Sequence, residues 1–136
     1  MIDFKTNLKK RIIPIILVKD HQVVKSRNFY DYRVFGNLEQ TINVFNNRNV
    51  DEIIILDIDS SKKKTGVNIE ILNILSKNNI MPLSFGGGIS SLKDIELCLK
   101  HGCDKVVINS QALNDISFIK KASSVFGSQC IVCSVD

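Results

Sequence analysis

The chain has 136 residues, with 18 Lys and Arg against 14 Asp and Glu, a formal charge of +4. Apolar residues make up 44% and charged residues 24%, with 7 Gly, 2 Pro and no Trp, which excludes disorder, collagen-like repeats and a disulfide-dense miniprotein. A chain of this length buries a sizeable core, and one domain is the natural count.

The apolar pattern alternates between two periods along the chain. Ile12 to Val18, interrupted only by Pro14, predicts a strand buried on both faces. Leu38 to Arg48 carries Leu38, Ile42, Val44 and Phe45 at helical spacing. Ile53 to Ile58 predicts a second buried strand. Ile69, Leu72 and Leu75 form a helical stripe, widened by Ile71 and Ile74. Pro82 to Phe85 predicts a third strand, ending in Gly86-Gly87-Gly88. Leu92 to Leu99 predicts a helix, with Ser91 as N-cap and Gly102 just past its end. Lys105 to Asn109 predicts a fourth strand, Ile116 to Val125 a fourth helix stopped by Gly127, and Ile131 to Asp136 a fifth strand. The order βαβαβαβαβ implies right-handed crossovers and a parallel sheet, an α/β fold. The longest connection runs from Lys19 to Asn37, and Val23-Val24-Lys25 inside it is read as a small hairpin arm.

Active sites of parallel α/β folds lie at the carboxyl ends of the strands. The triple glycine is the most specific signal there, because backbone N–H groups without a Cβ approach an anion closely. Gly86 to Ser91 leads into a helix N-terminus, and Asn109 and Ser110 end the neighbouring strand. Together these predict a phosphate site. Asp57 and Asp136 are strand-end carboxylates, open to two readings: acid–base groups or loop caps. His21 lies in the long loop and His101 at a helix end, and both are weak signals.

Cys130 and Cys133 have C-x-x-C spacing, but residues three apart in a strand face opposite ways. With Cys98 and Cys103 they are read as buried free thiols in a reducing cytoplasm, with no metal and no cofactor expected. Lys62-Lys63-Lys64 and Lys9-Lys10-Arg11 are read as solvated charge, since no aromatic residues interleave with them as nucleic-acid binding would need. No apolar run approaches the roughly 20 residues of a membrane span. No secretory signal core is evident between Met1 and Lys10, so a cytoplasmic protein is expected.

Several motifs, in order, resemble the cyclase subunit of imidazole glycerol phosphate synthase. They are Arg11-Ile12-Ile13-Pro14, Val18-Lys19-Asp20, Val23-Val24-Lys25, Asn28-Phe29, Asp51 to Ile58, Gly86-Gly87-Gly88-Ile89, Gly102 to Ser110 and Phe126-Gly127-Ser128-Gln129. The related isomerase of histidine synthesis usually has Gly-Thr where this chain has Asn109-Ser110. The resemblance implies a (β/α)8 TIM barrel of roughly 250 residues. Residues 1–136 would then form its N-terminal half, a single partial barrel domain of about four βα units plus strand five.

The resemblance further implies an enzyme that takes ammonia from a glutaminase partner at the bottom of the barrel. The ammonia would react with a ribulosyl phosphate substrate at the top, giving imidazole glycerol phosphate. Residue by residue, Gly87, Gly88, Asn109 and Ser110 match a phosphate site, with Asp57 and Lys25 beside the substrate. Arg11, Glu52 and Lys105 match a ring of charges that gates ammonia, and Asp104 matches a position facing the glutaminase.

One departure stands out. The family's pair of catalytic aspartates falls on Asp136 and on Leu17, and leucine cannot transfer a proton. His21 stands where the family has glycine. A branch of the family with an apolar residue at the Leu17 position resembles barrel partners of amidotransferases in surface-polysaccharide clusters, thought to deliver ammonia for amidination of a sugar. Three readings therefore stay open: the histidine-pathway cyclase, the sugar-amidination paralogue, and a non-catalytic half-barrel that binds phosphate or a glutaminase.

Overall fold

The computed structural model describes residues 9–28 and 30–135. Seven strands form one sheet in the order β3-β2-β1-β4-β5-β6-β7. Five of them run parallel: β1 (Ile15–Lys19), β4 (Ile53–Asp57), β5 (Leu83–Gly86), β6 (Lys105–Ile108) and β7 (Ile131–Cys133). The other two, β2 (Gln22–Arg27) and β3 (Asp31–Asn37), continue the sheet antiparallel beyond β1. The hairpin arm is thus longer than Val23 to Lys25 suggests, and it is part of the main sheet. Helices return the chain between the parallel strands: α1 (Leu38–Arg48), α3 (Ile69–Asn78), α4 (Leu92–Lys100) and α6 (Ile116–Phe126). Two short helices, α2 (Ser60–Lys63) and α5 (Ser110–Asn114), follow β4 and β6. This is the α/β architecture of the N-terminal half of a (β/α) barrel.

Local signals set the helix starts. Asn37 caps α1 by accepting from the Glu39 amide at 2.8 Å. Asn68 caps α3, accepting from Glu70 and Ile71. Ser91 and Asp94 form a capping box on α4.

The register sorts the strand residues into two faces. Ile16, Ile55, Phe85, Val106 and Ile131 stand side by side on one face. The first four join Leu38, Ile42, Leu72, Leu75, Ile95 and Phe118 in a single core. Fully burying each such aliphatic side chain contributes about 1.5–3 kcal/mol. Leu17, Leu56, Gly86, Val107 and Val132 are in register on the opposite face.

The expectation that the first strand is buried on both faces is corrected here. Ile16 and Val18 are buried, but Ile15 is 61% exposed and Ile12 71%. The core with the helices lies on the Ile16 face only. The expected start at Ile12 also moves to Ile15. Ile12 and Pro14 still bond to the neighbouring segment, through Asp51 and Ile54 respectively.

Candidate functional site at the strand ends

The carboxyl ends of the parallel strands surround a cavity of about 420 Å³. Its floor is apolar, built from Leu17, Leu56, Ile58, Val107 and Ile108. Gly86, Gly87, Gly88, Asn109 and Ser110 form one wall. Ser26 and Tyr32, brought over by the hairpin arm, and Lys62 from α2 also line it.

The glycines are dictated by close approach. Gly87 has φ +120°, and a Cβ there would lie 2.3 Å from the Asp57 carbonyl oxygen. Gly88 has φ +74°, and a Cβ there would lie 2.4 Å from the Gly66 carbonyl oxygen. Both positions exclude other residues on space and on backbone conformation.

Asp57 is buried, and its carboxylate is occupied. Oδ1 accepts from the Asp59 amide at 3.0 Å and the Ser60 amide at 3.4 Å, and Oδ2 accepts from the Ser60 hydroxyl. Of its two sequence readings, the loop-capping one describes this geometry.

The sequence reading also made the helix after the glycines part of the phosphate site, and this is corrected. The Ser90 and Ser91 amides both donate to Asp94 Oδ2 at 3.0 Å. A carboxylate of the helix itself already fills the anion position at the start of α4.

Lys25 does not line this cavity. Leu17 pairs with Val24, which puts Val24 on the cavity face, and strand alternation carries Ser26 to the same side. Lys25 therefore stands on the other face of the arm. It lines a separate recess of about 290 Å³ with Arg27, Asp31, Arg33 and Phe35. Asp136 lies outside the described residues.

At the opposite end of the sheet, Glu52 and Lys105 meet. Lys105 Nζ lies 3.3 Å from Glu52 Oε1, and the buried Ser84 hydroxyl donates to the same oxygen at 2.8 Å. Arg11 is exposed and joins no ion pair among the described residues. Asp104 is exposed and pins β5 to β6: its Oδ2 accepts from the Leu83 amide at 2.8 Å, and its own amide donates to the Leu83 carbonyl at 2.8 Å.

The arm is tied down at its base. The turn at Asp20 and His21 has both residues at positive φ, 48° and 64°. His21 adopts the left-handed conformation that glycine takes most easily. Its Nε2 lies 3.0 Å from Glu70 Oε2. Lys63 bridges Asp20 at 3.2 Å and Asp59 at 2.7 Å. The Lys63 ammonium holds the Asp59 carboxyl below the usual carboxylate range, against the opposing pull of burial.

The thiols divide differently from the sequence expectation. Cys98 and Cys103 are buried, but Cys130 is half-buried in a 3-10 turn and Cys133 is exposed. The neighbouring Cys103 thiol, together with burial, pushes Cys98 far above the usual thiol range, so it stays protonated. Among the described residues, no three His, Cys, Asp or Glu side chains are grouped so that they could hold a metal ion. No described helix is long and apolar enough to cross a membrane.

The model of a family described as histidine biosynthesis protein matches residues 11–136. The chain belongs to this family. A Campylobacter jejuni protein provisionally named imidazole glycerol phosphate synthase subunit hisF2 is 54% identical over 129 residues, which is 95% of this chain and 52% of that protein. A Vibrio vulnificus protein with the same provisional name is 48% identical, over 95% of this chain and 47% of its own length. The imidazole glycerol phosphate synthase subunit HisF of Methanoregula boonei is 40% identical, over 95% and 48%. The chain thus spans about half the length of these curated relatives.

Sequence reasoning missed four polar members of the two ends. Ser26, Tyr32 and Lys62 reach the cavity through the arm and α2. Ser84 joins the Glu52–Lys105 pair. Only the two-residue alternation of β2 could have revealed Ser26. The other three reflect pairings between distant segments.

Proposed function

We propose that this chain is part of the synthase component of a glutamine amidotransferase, using ammonia on a phosphorylated small molecule. The observation that carries the reading is the polarity of the sheet in a member of this family. An ion pair between the buried Glu52 and the half-buried Lys105 stands at the strand starts, and a glycine-walled cavity at the strand ends. Ammonia made by a glutaminase partner enters past Glu52 and Lys105, with Arg11 and Asp104 on the same end facing the partner. The phosphate is held by Gly87, Gly88, Asn109 and Ser110. The reaction takes place in the cytoplasm.

Two versions of the chemistry remain within this reading. In the histidine-pathway version, the substrate is cyclised to imidazole glycerol phosphate, with Asp136 as one acid–base group. In the other, ammonia is delivered for amidination of a surface-polysaccharide sugar. The cavity floor favours the second. Leu17 sits there among Leu56 and Val107, and none of these can move a proton.

The test is turnover of the ribulosyl phosphate substrate by the full chain with an ammonium salt. No imidazole glycerol phosphate is expected, and normal turnover overturns the amidination version. Titration with inorganic phosphate tests the shared part. Binding that is weakened when Ser110 or Asn109 becomes alanine supports it, and absence of binding overturns it.

A further inference from the structure

The hairpin arm leaves one long strand with a bonding edge that no described residue occupies. β3 is the last strand in the order β3-β2-β1-β4-β5-β6-β7, and among the described residues it pairs with β2 on one side only. It is seven residues long, contains no proline, and none of its residues is buried. The opposite edge of the sheet, β7, is only three residues long. A long exposed edge presents a row of backbone N–H and C=O groups to an incoming strand.

The side chains decide which strand this edge accepts. The register sets Lys25 opposite Arg33 and Arg27 opposite Asp31. Strand alternation places all four on one face, where with Phe35 they line the recess of about 290 Å³. None of the four joins an ion pair among the described residues. With Asp31 counted at its full negative charge, this face still carries three cations, Lys25, Arg27 and Arg33, against one anion. Like charges directly opposite each other on paired strands are unfavourable, and Lys25 and Arg33 are such a pair. A second copy of β3 would bring more positive charge to this face and raise that cost. A strand with carboxylates on this face lowers it. On its other face β3 offers Tyr32 and the exposed Val34.

We propose that the free edge of β3 takes an extended acidic segment of a partner protein as an added strand. Its carboxylates face Lys25, Arg27 and Arg33, and the apolar residues alternating with them lie on the Val34 side. The surface uses none of the residues assigned to the phosphate or to the Glu52–Lys105 end, so its test is independent of that reading.

The experiment is fluorescence anisotropy of the full chain with a labelled seven-residue peptide of alternating Glu and Val, both ends blocked. The expected result is saturable binding that weakens as salt is raised, and no binding of the matching Lys and Val peptide. Arg33→Glu and Lys25→Glu, each with an unchanged far-UV spectrum, weaken the acidic peptide about fivefold or more. Lys25 is on β2, so its variant changes the charge without altering the edge strand. Lys121→Glu, on α6, makes the same charge change elsewhere and leaves the affinity unchanged. An added strand directs only every second N–H at β3. Of two acidic peptides N-methylated on alternate sets of residues, one therefore loses binding and the other keeps it. No binding of the acidic peptide, equal binding of the basic one, or equal loss in Lys121→Glu overturns the proposal. So does unchanged affinity in either arm variant, or loss of binding by neither or both of the methylated peptides. A dimer in sedimentation that the acidic peptide dissociates overturns it in favour of a second copy of the chain.

Discussion

Removing Lys105 and removing Glu52 have unequal consequences, and the inequality follows from burial. The Glu52 side chain is 8% exposed, whereas that of Lys105 is 34% exposed. Lys105→Met leaves a buried carboxylate with the Ser84 hydroxyl as its remaining partner among the described residues. Breaking a buried pair from one side costs 3–5 kcal/mol. The lower end, about 3 kcal/mol, applies here because Ser84 stays in place and the lysine is partly solvated. Glu52→Gln keeps an acceptor for Ser84 and leaves an ammonium that reaches water, so it costs about 1 kcal/mol. The double variant removes both charges and costs about 2 kcal/mol, less than the sum, a coupling of about 2 kcal/mol. Urea unfolding of the four proteins at neutral pH, followed by far-UV circular dichroism, measures all three differences. Equal losses in the two single variants, or strict additivity in the double, refute the argument that Glu52 depends on Lys105 more than the reverse.

Three further outcomes follow from single features. Gly87→Ala combines a positive φ with a Cβ 2.3 Å from the Asp57 carbonyl oxygen. It destabilises the chain by about 3 kcal/mol, the sum of backbone strain and overpacking; a loss under about 1 kcal/mol in urea unfolding contradicts this. Asn68→Ala removes an acceptor from two amides at the start of α3 and costs about 1 kcal/mol, whereas Asn68→Asp keeps the cap and costs less. Lys63 depresses the folded carboxyl of Asp59, so its contribution is present above the ordinary carboxylate value and disappears as pH falls through the folded value. The difference in thermal midpoint between the native chain and Lys63→Met therefore shrinks on going from neutral to strongly acid pH, and a constant difference overturns the assignment.

The parallel strands and the four longer helices were legible in the sequence, because continuous aliphatic runs and helical stripes encode burial directly. Ile53 to Asp57 needs no partner to be read as a buried strand. The extent of the arm was not legible: Asp31 to Asn37 is mostly exposed and owes its strand conformation to pairing with β2. The helices α2 and α5 are too short to show a period, and α2 hides inside a lysine run. The exposure of Ile15 was also hidden. An apolar residue records what it can bury against, and the sequence does not say on which face the packing partner lies. The faces of Lys25 and Ser26 depend on one register, Leu17 against Val24, and a slip of one residue would exchange them.

That same register explains why Leu17 is more than a missing carboxylate. Leu17 is opposite Val24 and beside Leu56, and Val24 and Val107 are 6% and 8% exposed. A Leu17→Asp substitution sets a carboxyl on this apolar floor. Asp57 cannot partner it, because its carboxylate is held by the turn into α2. Burial without a partner raises a carboxyl above its ordinary value, and the charged form then destabilises the fold near neutral pH. The sign is the reverse of the Asp59 case: stability lost at neutral pH returns as the medium is acidified through the raised value. The floor around position 17 is therefore matched to leucine. A cavity apolar at the base, lined by one lysine, Lys62, and a glycine wall, suits a ligand held by its anionic end. It does not suit a ligand whose middle must exchange protons with the floor.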